Sequence, residues 1–472
     1  MPGVTYMSQR DLYGIRRVLC TLIVLVSALV SHAGASAMLL LEEPYGKLGF
    51  FSPTGHVAVY LSGVCADSPL VLRGCAQGET GIVLSRYDGI NGYDWAAIPL
   101  IPYLYAVERP EDIPLFADAK MVTFLRDRYR RQHLRAIAPD KADGGIPVGN
   151  WYEIVGSSYD RASYGFEIET SPEQDAALIR AYNSSPNRSH YRGVSRNCAD
   201  FVKDVINFYY PKSLHRSLVA DVGITTPKQL ARTLVRYSGH HPELQLSRLV
   251  IPQIPGSLPR STAVHGVVES FFTSKKYIVP SALVSPIFAG CVFAVYVGTG
   301  AGRFDPAHNA LVFAAGGEPE LPVGLEDRRA YQEELKGLLA NTDAEGSSGH
   351  IRKQWARLQA RAQTEFDAQG RPVLQMRVGE RLVNVGVSAD NILSSSSSAS
   401  SELVRELLEA RLEAELSRKA APTISEKELV RDWQLLQEAR NVEGKELADG
   451  FTPRPLKIPA SARPDRASGN LP

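Results

Sequence analysis

The chain reads as an α+β protein, and three observations carry that expectation. Residues 38 to 86 hold short apolar runs spaced by Gly, Pro and Asp, the pattern of a β-meander. Downstream, isolated strand-like runs alternate with segments whose apolar residues recur at helical spacing. One of those segments opens on a lone cysteine, in Arg196-Asn197-Cys198-Ala199-Asp200-Phe201-Val202, and continues through Val205, Ile206 and Tyr209.

The N-terminus comes first. Arg16 and Arg17 precede the apolar run Val18 to Val30, and small residues follow, ending Ala35-Ser36-Ala37. A basic region, an apolar region and an A-x-A site make residues 1–37 a secretory signal peptide cleaved near Ala37; uncleaved, the same run would be a membrane anchor. Either way the following domain is expected to be exported, to a periplasmic or extracytoplasmic location.

Residues 38–250 are read as the first folded domain. Gly55 to Ser62 forms a strand after the Pro53-Thr54-Gly55 turn, and Pro69–Arg73 and Gly81–Ser85 form two more. Ala97 to Tyr105 is apolar but proline-broken, so an edge strand or extended loop is expected. Asp118 to Ile137 is helical, and its face of Arg126, Arg128, Arg130, Arg131 and Arg135 reads as solvated. Trp151–Val155 and Tyr164–Glu169 are further strands. Ser171-Pro172-Glu173 is a helix start, with a capping residue followed by proline at the first helical position. Pro211 ends the cysteine helix, Thr226-Pro227 opens another, and Val250–Arg260 is extended.

Residues 277–300 contain no charged side chain, a length that suits a transmembrane or membrane-contact helix. Pro280 and Pro286 count against a straight span, and Lys275 and Lys276 on its N-terminal side would place that side in the cytosol, in conflict with an exported domain. A helical hairpin or re-entrant contact resolves the conflict. Residues 301–393 read as a small mixed domain with a β unit over Phe366–Val387, residues 394–401 as a serine-rich linker, 402–441 as charged helices, and 451–472 as a disordered tail.

Composition excludes several functions. The formal net charge of +1 offers no basic field for nucleic acid. No C-x-x-C, H-E-x-x-H or P-loop occurs, and no G-x-G-x-x-G follows a clear strand, so no metal or nucleotide cofactor is expected. Of five cysteines, Cys20 lies in the signal peptide and Cys291 in the apolar run; Cys65 and Cys75 flank a strand-like piece and can form a disulfide in an oxidising compartment. Cys198 is left without a partner. At a helix N-terminus the dipole and the unpaired N–H groups favour its thiolate, the nucleophilic form, so it is a candidate catalytic nucleophile; the bland alternative is a small buried residue at a helix start. A thiolate needs a base, and His56, at the start of a strand and sharing a face with Ala58, Tyr60 and Ser62, is the candidate, pointing off the sheet toward the helix that carries Cys198.

Gly55-His56-Val57-Ala58-Val59-Tyr60 followed about 140 residues later by Asn197-Cys198-x-x-Phe201 resembles the circularly permuted papain-like proteins of the NlpC/P60 superfamily, among them the lecithin–retinol acyltransferase-like branch, in which histidine precedes cysteine. The resemblance covers roughly residues 45 to 215. It implies a papain-like α+β domain in which a small antiparallel sheet packs on the cysteine helix, with a helical and mixed region appended at the C-terminus. It implies that Cys198 attacks a carbonyl to form an acyl-enzyme, with His56 as general base and then acid and the Cys198 N–H as part of an oxyanion hole. Asn197 shapes that turn, and Tyr191 is a candidate second donor. The family's third polar residue, which orients the imidazole, has no histidine to fill it here; Gln77, Glu79 and Ser85 are the candidates. The expected function is therefore that of an exported cysteine hydrolase or acyltransferase acting on a peptide amide or an acyl-lipid ester, with membrane association. The rival is a catalytically inactive binding or assembly protein on the same scaffold.

Overall fold

The computed structural model describes residues 35–46, 54–88, 90–189, 191–339, 347–392, 398–417 and 424–447. Residues 1–34 of the expected signal peptide, most of the expected serine-rich linker and the tail 451–472 lie outside the described residues.

The chain is α+β. Its centre is β1 (Ser36–Glu42), seven residues all buried. The run Met38-Leu39-Leu40-Leu41 is apolar without alternation because the strand is covered on both faces. It lies antiparallel between β2 (His56–Leu61) and the later β7, with Glu42 opposite His56 in register. After β2, a separate hairpin, β3 (Val64–Ser68) and β4 (Val71–Gly74), carries a disulfide between Cys65 and Cys75. β5 (Ile82–Ser85) returns beside β2, and β6 (Ala96–Pro99) forms the sheet edge, where Pro99 costs no ladder bond. The apolar stretch that follows is a helix, α1 (Leu100–Tyr105), with all six residues buried. Pro102 is tolerated there because it falls in the first turn, where the N–H has no intrahelical partner, so only residues 97–99 of the expected extended segment 97–105 are strand.

α2 (Ala119–His133) is capped by Asp118, whose carboxylate accepts from the Met121 N–H at 2.8 Å. Arg131 and Arg135 are exposed as expected, but two of the arginines are not on a solvated face. Arg130 is fully buried, paired with Asp127 and Asp140 and donating to the Ala138 carbonyl; Arg126 donates to the Val155 and Gly156 carbonyls and pairs with Asp160. Residues expected as a strand at 151–155 form a 3-10 turn over Asn150–Ile154. A short α3 (Ser157–Asp160) leads into β7 (Ser163–Glu169), on the far side of β1. α4 (Pro172–Ser184) begins with a Ser171–Gln174 capping box, α5 (Cys198–Tyr209) is the cysteine helix, and α6 (Pro227–Ser238) packs beside it. β8 (Ser247–Ile251) extends the sheet beyond β7.

α7 (Val267–Thr273), α8 (Lys275–Val284) and α9 (Pro286–Thr299) form a helical finger. The apolar run is thus broken at Ser285-Pro286, and no described helix is long and apolar enough to cross a membrane. Two residues downstream of the finger, β9 (Leu311–Val312), pair in parallel with β8. The sheet therefore has seven strands in the order β6-β5-β2-β1-β7-β8-β9, mixed at one edge, larger than the small antiparallel sheet expected. α10 (Leu325–Leu339) and α11 (Ser347–Arg361) precede a three-stranded sheet, β10 (Ala362–Phe366), β11 (Pro372–Val378) and β12 (Arg381–Gly386). α12 (Ser398–Leu416) and α13 (Glu426–Leu447) close the chain, and the last residues of the serine-rich run, 398–401, form the first turn of α12.

The period of two along β1 and β2 divides the interior into two layers. Leu39, Leu41, Val57 and Val59 face α5 and α6. Met38, Leu40 and Ala58 face α1 and α2, and this second core runs on without interruption to Trp355, Leu407 and Trp433. The shift in composition near residue 301 therefore marks no separate core. Cross-links confirm the continuity: the Leu115 N–H donates to the Val387 carbonyl at 2.7 Å, Arg411 donates to the Leu115 carbonyl at 3.0 Å, and Phe124 stacks on Phe366.

Candidate active site

Asn197 is the N-cap of α5. Its side chain accepts from the Asp200 N–H at 2.9 Å, and the Asp200 carboxylate reaches back to the Asn197 N–H at 3.4 Å. The Asn197 amide donates to the Gly193 and Thr225 carbonyls at 2.9 and 3.0 Å. All of its polar atoms are spent on fixing the turn, and none is left for a substrate. Asp200 is held in turn by Thr225 at 2.6 Å and Arg216 at 2.8 Å. Phe201, Val202, Val205 and Ile206 bury the α5 face against the sheet, so Cys198 at the first helical position is set by both cap and core.

Cys198 is only 7% exposed. Its sulfur lies against the first peptide of β2, where the Val57 N–H favours the thiolate, as does its neighbour Ala199. Burial nevertheless outweighs these donors and pushes the thiol up to about 11. The helix terminus favours the thiolate as expected, but removing the sulfur from water costs the anion more than the local dipoles return. Tyr191 lies near Cys198, and burial together with that neighbour raises its phenol above the usual range.

His56 is buried at the first residue of β2. Its Nε2 lies 3.0 Å from Ser85 Oγ on β5, and its ring stacks on Tyr87 at 3.9 Å between centroids. Burial, with the Arg161 cation second, holds the imidazole well below its usual range, so it is neutral. Its face of β2 is not the one that carries the cysteine helix: Ala58 packs in the layer of α1, Val57 in the layer of α5. What adjoins the sulfur is the His56–Val57 peptide at the strand end.

Of the three candidates for the orienting residue, the structure brings Ser85 to His56. Gln77 is exposed, and the exposed Glu79 is bound by Arg73 at 2.6 Å, which with the Ala76 N–H lowers its carboxyl to about 2. Cys65, Cys75 and Glu79 are the described group with metal-ligand atoms close together, and its two sulfurs are consumed by the disulfide.

Sequence reasoning missed the polar network behind His56. Tyr103 Oη donates to Glu42 Oε1 at 2.7 Å, and Arg161 Nη1 lies 3.3 Å from Glu42 Oε2. Arg161 also pairs with Glu153, which accepts from Tyr45 Oη at 2.5 Å, and its guanidinium sits 4.6 Å over the Tyr45 ring. Burial raises the Glu42 carboxyl, with Arg161 opposing. The one available signal was Glu42-Glu43 ending an otherwise apolar strand, since a charge at the end of a central strand must find a partner.

A cavity of about 150 Å³ borders the site. Its wall includes Tyr87, which stacks on His56, and Tyr191, together with Arg86, Asp88, Asp94 and Ser189. Arg86 pairs with Asp94 at 2.6 Å and lies 4.7 Å over the Phe201 ring, which ties this rim to α5. Larger cavities beside His265 and Trp355 touch neither Cys198 nor His56.

No protein-family model, curated protein or solved structure matches this chain.

Proposed function

We propose that this chain is an exported cysteine hydrolase or acyltransferase of permuted papain-like, NlpC/P60-type fold, acting on an amide or acyl ester. The observation that carries the reading is a buried cysteine at a helix N-terminus, its sulfur against the peptide of a strand-end histidine whose Nε2 is held by a serine on the next strand. With Nε2 so held, proton transfer falls to Nδ1. The step needs the His56 ring to swing past the strand end from the α1 layer to the sulfur; the Cys198 S–H then gives its proton to His56 as sulfur bonds to the carbonyl carbon. The oxyanion takes the Cys198 N–H at the start of α5. Imidazolium then protonates the leaving amine or alcohol as the C–N or C–O bond breaks, and water or an acceptor alcohol or amine resolves the acyl-enzyme with His56 again as base. A neutral thiol and a neutral imidazole suit this order, with proton transfer concerted with attack.

The same electrostatics favour the second reading, a binding or assembly protein on this scaffold: neither group is ionised at rest, and the His56 face of β2 packs away from α5. The deciding experiment incubates the intact protein with a panel of nitrophenyl acyl esters and peptide amides. Turnover that disappears in both Cys198→Ala and His56→Ala supports the enzyme; turnover unchanged in either variant, or no turnover and no acyl adduct by mass spectrometry, supports the binding protein. Cell-wall peptides and acyl lipids are the substrate classes to test first.

A further inference from the structure

The α7–α9 finger has no use in the chemistry above. From Tyr277 to Gly302 it carries no charged side chain, and neither α8 nor α9 buries a single residue. Leu283, Val284 and Ile287, at the junction of the two helices, are 82%, 87% and 81% exposed, and Phe288, Phe293 and Val297 are exposed further down. The exposure is greatest at the tip and surrounds both helices rather than forming one stripe. A protein partner would need one face; an apolar solvent contacts all of them.

Dimensions and charge identify that solvent. The 14 residues of α9 span about 21 Å, too short for a hydrocarbon core of about 30 Å but sufficient for one leaflet of about 15 Å. The turn at the tip hides its own polar groups: the Ser285 N–H donates to the Ser281 carbonyl at 2.8 Å, and Ser285 Oγ accepts from the Phe288 N–H at 3.4 Å. At the base, where α8 begins and α9 ends, Lys275, Lys276 and Arg303 are all exposed. Tyr277 and Tyr296 sit at the same level, stacked on Phe271 and Phe272. Cations and tyrosines at the root of an apolar wedge are arranged for headgroups above and acyl chains below. The finger is fastened to the body: Lys228 of α6 forms a buried ion pair with Glu269 at 2.8 Å, and Arg232 donates to the Thr299 carbonyl.

We propose that this finger inserts, tip first, into one leaflet of an anionic phospholipid bilayer and holds the domain at the membrane surface without spanning it. The lysine-side conflict of a spanning helix disappears, because both ends of the hairpin stay on one side.

Cys291, exposed on α9, gives the test. A polarity-sensitive fluorophore is attached there in full-length protein carrying Cys20→Ser and Cys198→Ser, and vesicles of phosphatidylcholine with and without phosphatidylglycerol are added. The expected result is a blue shift with anionic vesicles, quenching by spin labels on the acyl chains, weakening in high salt, and roughly tenfold or greater loss of the effect in Leu283→Asp/Ile287→Asp. Because those side chains face outward, the variant retains its fold, checked by circular dichroism. A label that stays unshifted with anionic vesicles overturns the proposal. So does a shift present without lipid and abolished by dilution, which would mean the finger docks on a second copy of this chain, or a shift that the double aspartate leaves intact.

Discussion

His56 Nε2 and Ser85 Oγ lie 3.0 Å apart across neighbouring strands, sealed under the Tyr87 ring. The bond occupies one ring nitrogen, and under the proposed hydrolase reading the other is the one that moves protons. Ser85→Ala is expected to lower turnover about tenfold or more, the cost of a loosened general base, and to destabilise the fold by about 1–3 kcal/mol by leaving a buried nitrogen unpaired. Ser85→Thr, which restores the hydroxyl, recovers the rate. Equal rates for wild type and Ser85→Ala would remove Ser85 from the site.

The reactivity of Cys198 is expected to rise with pH beyond the range of an ordinary thiol, because burial lifts it to about 11. Alkylation by iodoacetamide should climb about tenfold per pH unit through pH 9, with no plateau near neutrality. A plateau below pH 8 would show that the helix terminus prevails over burial.

Stability carries the same signature with two signs. His56 is depressed in the folded state, so its contribution is complete above about 6.5 and is lost as pH falls and the unfolded chain takes up the proton. Cys198 is raised, so its contribution is complete below about 8.5 and is lost as pH rises toward 11. Urea midpoints should therefore fall on both sides of neutrality. Cys198→Ala should flatten the alkaline limb and His56→Gln the acid limb; a limb unaltered by its substitution would assign that slope to other groups.

Arg161 compensates the fully buried Glu42. Arg161→Met is expected to cost about 3–5 kcal/mol, since it strands a carboxylate in the core, while Glu42→Gln/Arg161→Met should recover much of the loss. A double variant no more stable than the single one would show that the pair is not coupled, and thermal unfolding of the three proteins decides it.

On the proposed exported reading, signal cleavage should leave β1 whole. Ser36 donates to Glu167 at 2.6 Å, and its N–H to Ser62 Oγ at 2.7 Å, so cleavage at Ala37 would remove the first two residues of the central strand. N-terminal sequencing of secreted protein is expected to begin at or before Ser36; a start at Met38 would show that the sheet closes without them.

Local patterning made much of this legible from the residues alone. The Asn197–Cys198 helix start, the β2 and β5 strands, the proline-capped helices at Pro172 and Pro227 and a small β unit near Asp367 all follow from caps, turns and periodicity, which act over a few residues. So did the pairing of Cys65 with Cys75, offered there as one option for two cysteines ten residues apart and formed in the structure. Other features depended on partners distant in sequence. Arg126 and Arg130 of α2 looked solvated until Asp160, Asp140 and the 155–156 carbonyls closed over them. Ser85 could be chosen over Gln77 and Glu79 only once β5 lay beside β2. Whether a cysteine at a helix terminus is ionised could not be read from its neighbours in sequence, because the helix dipole is local whereas burial is imposed by the whole fold, and at Cys198 burial prevails.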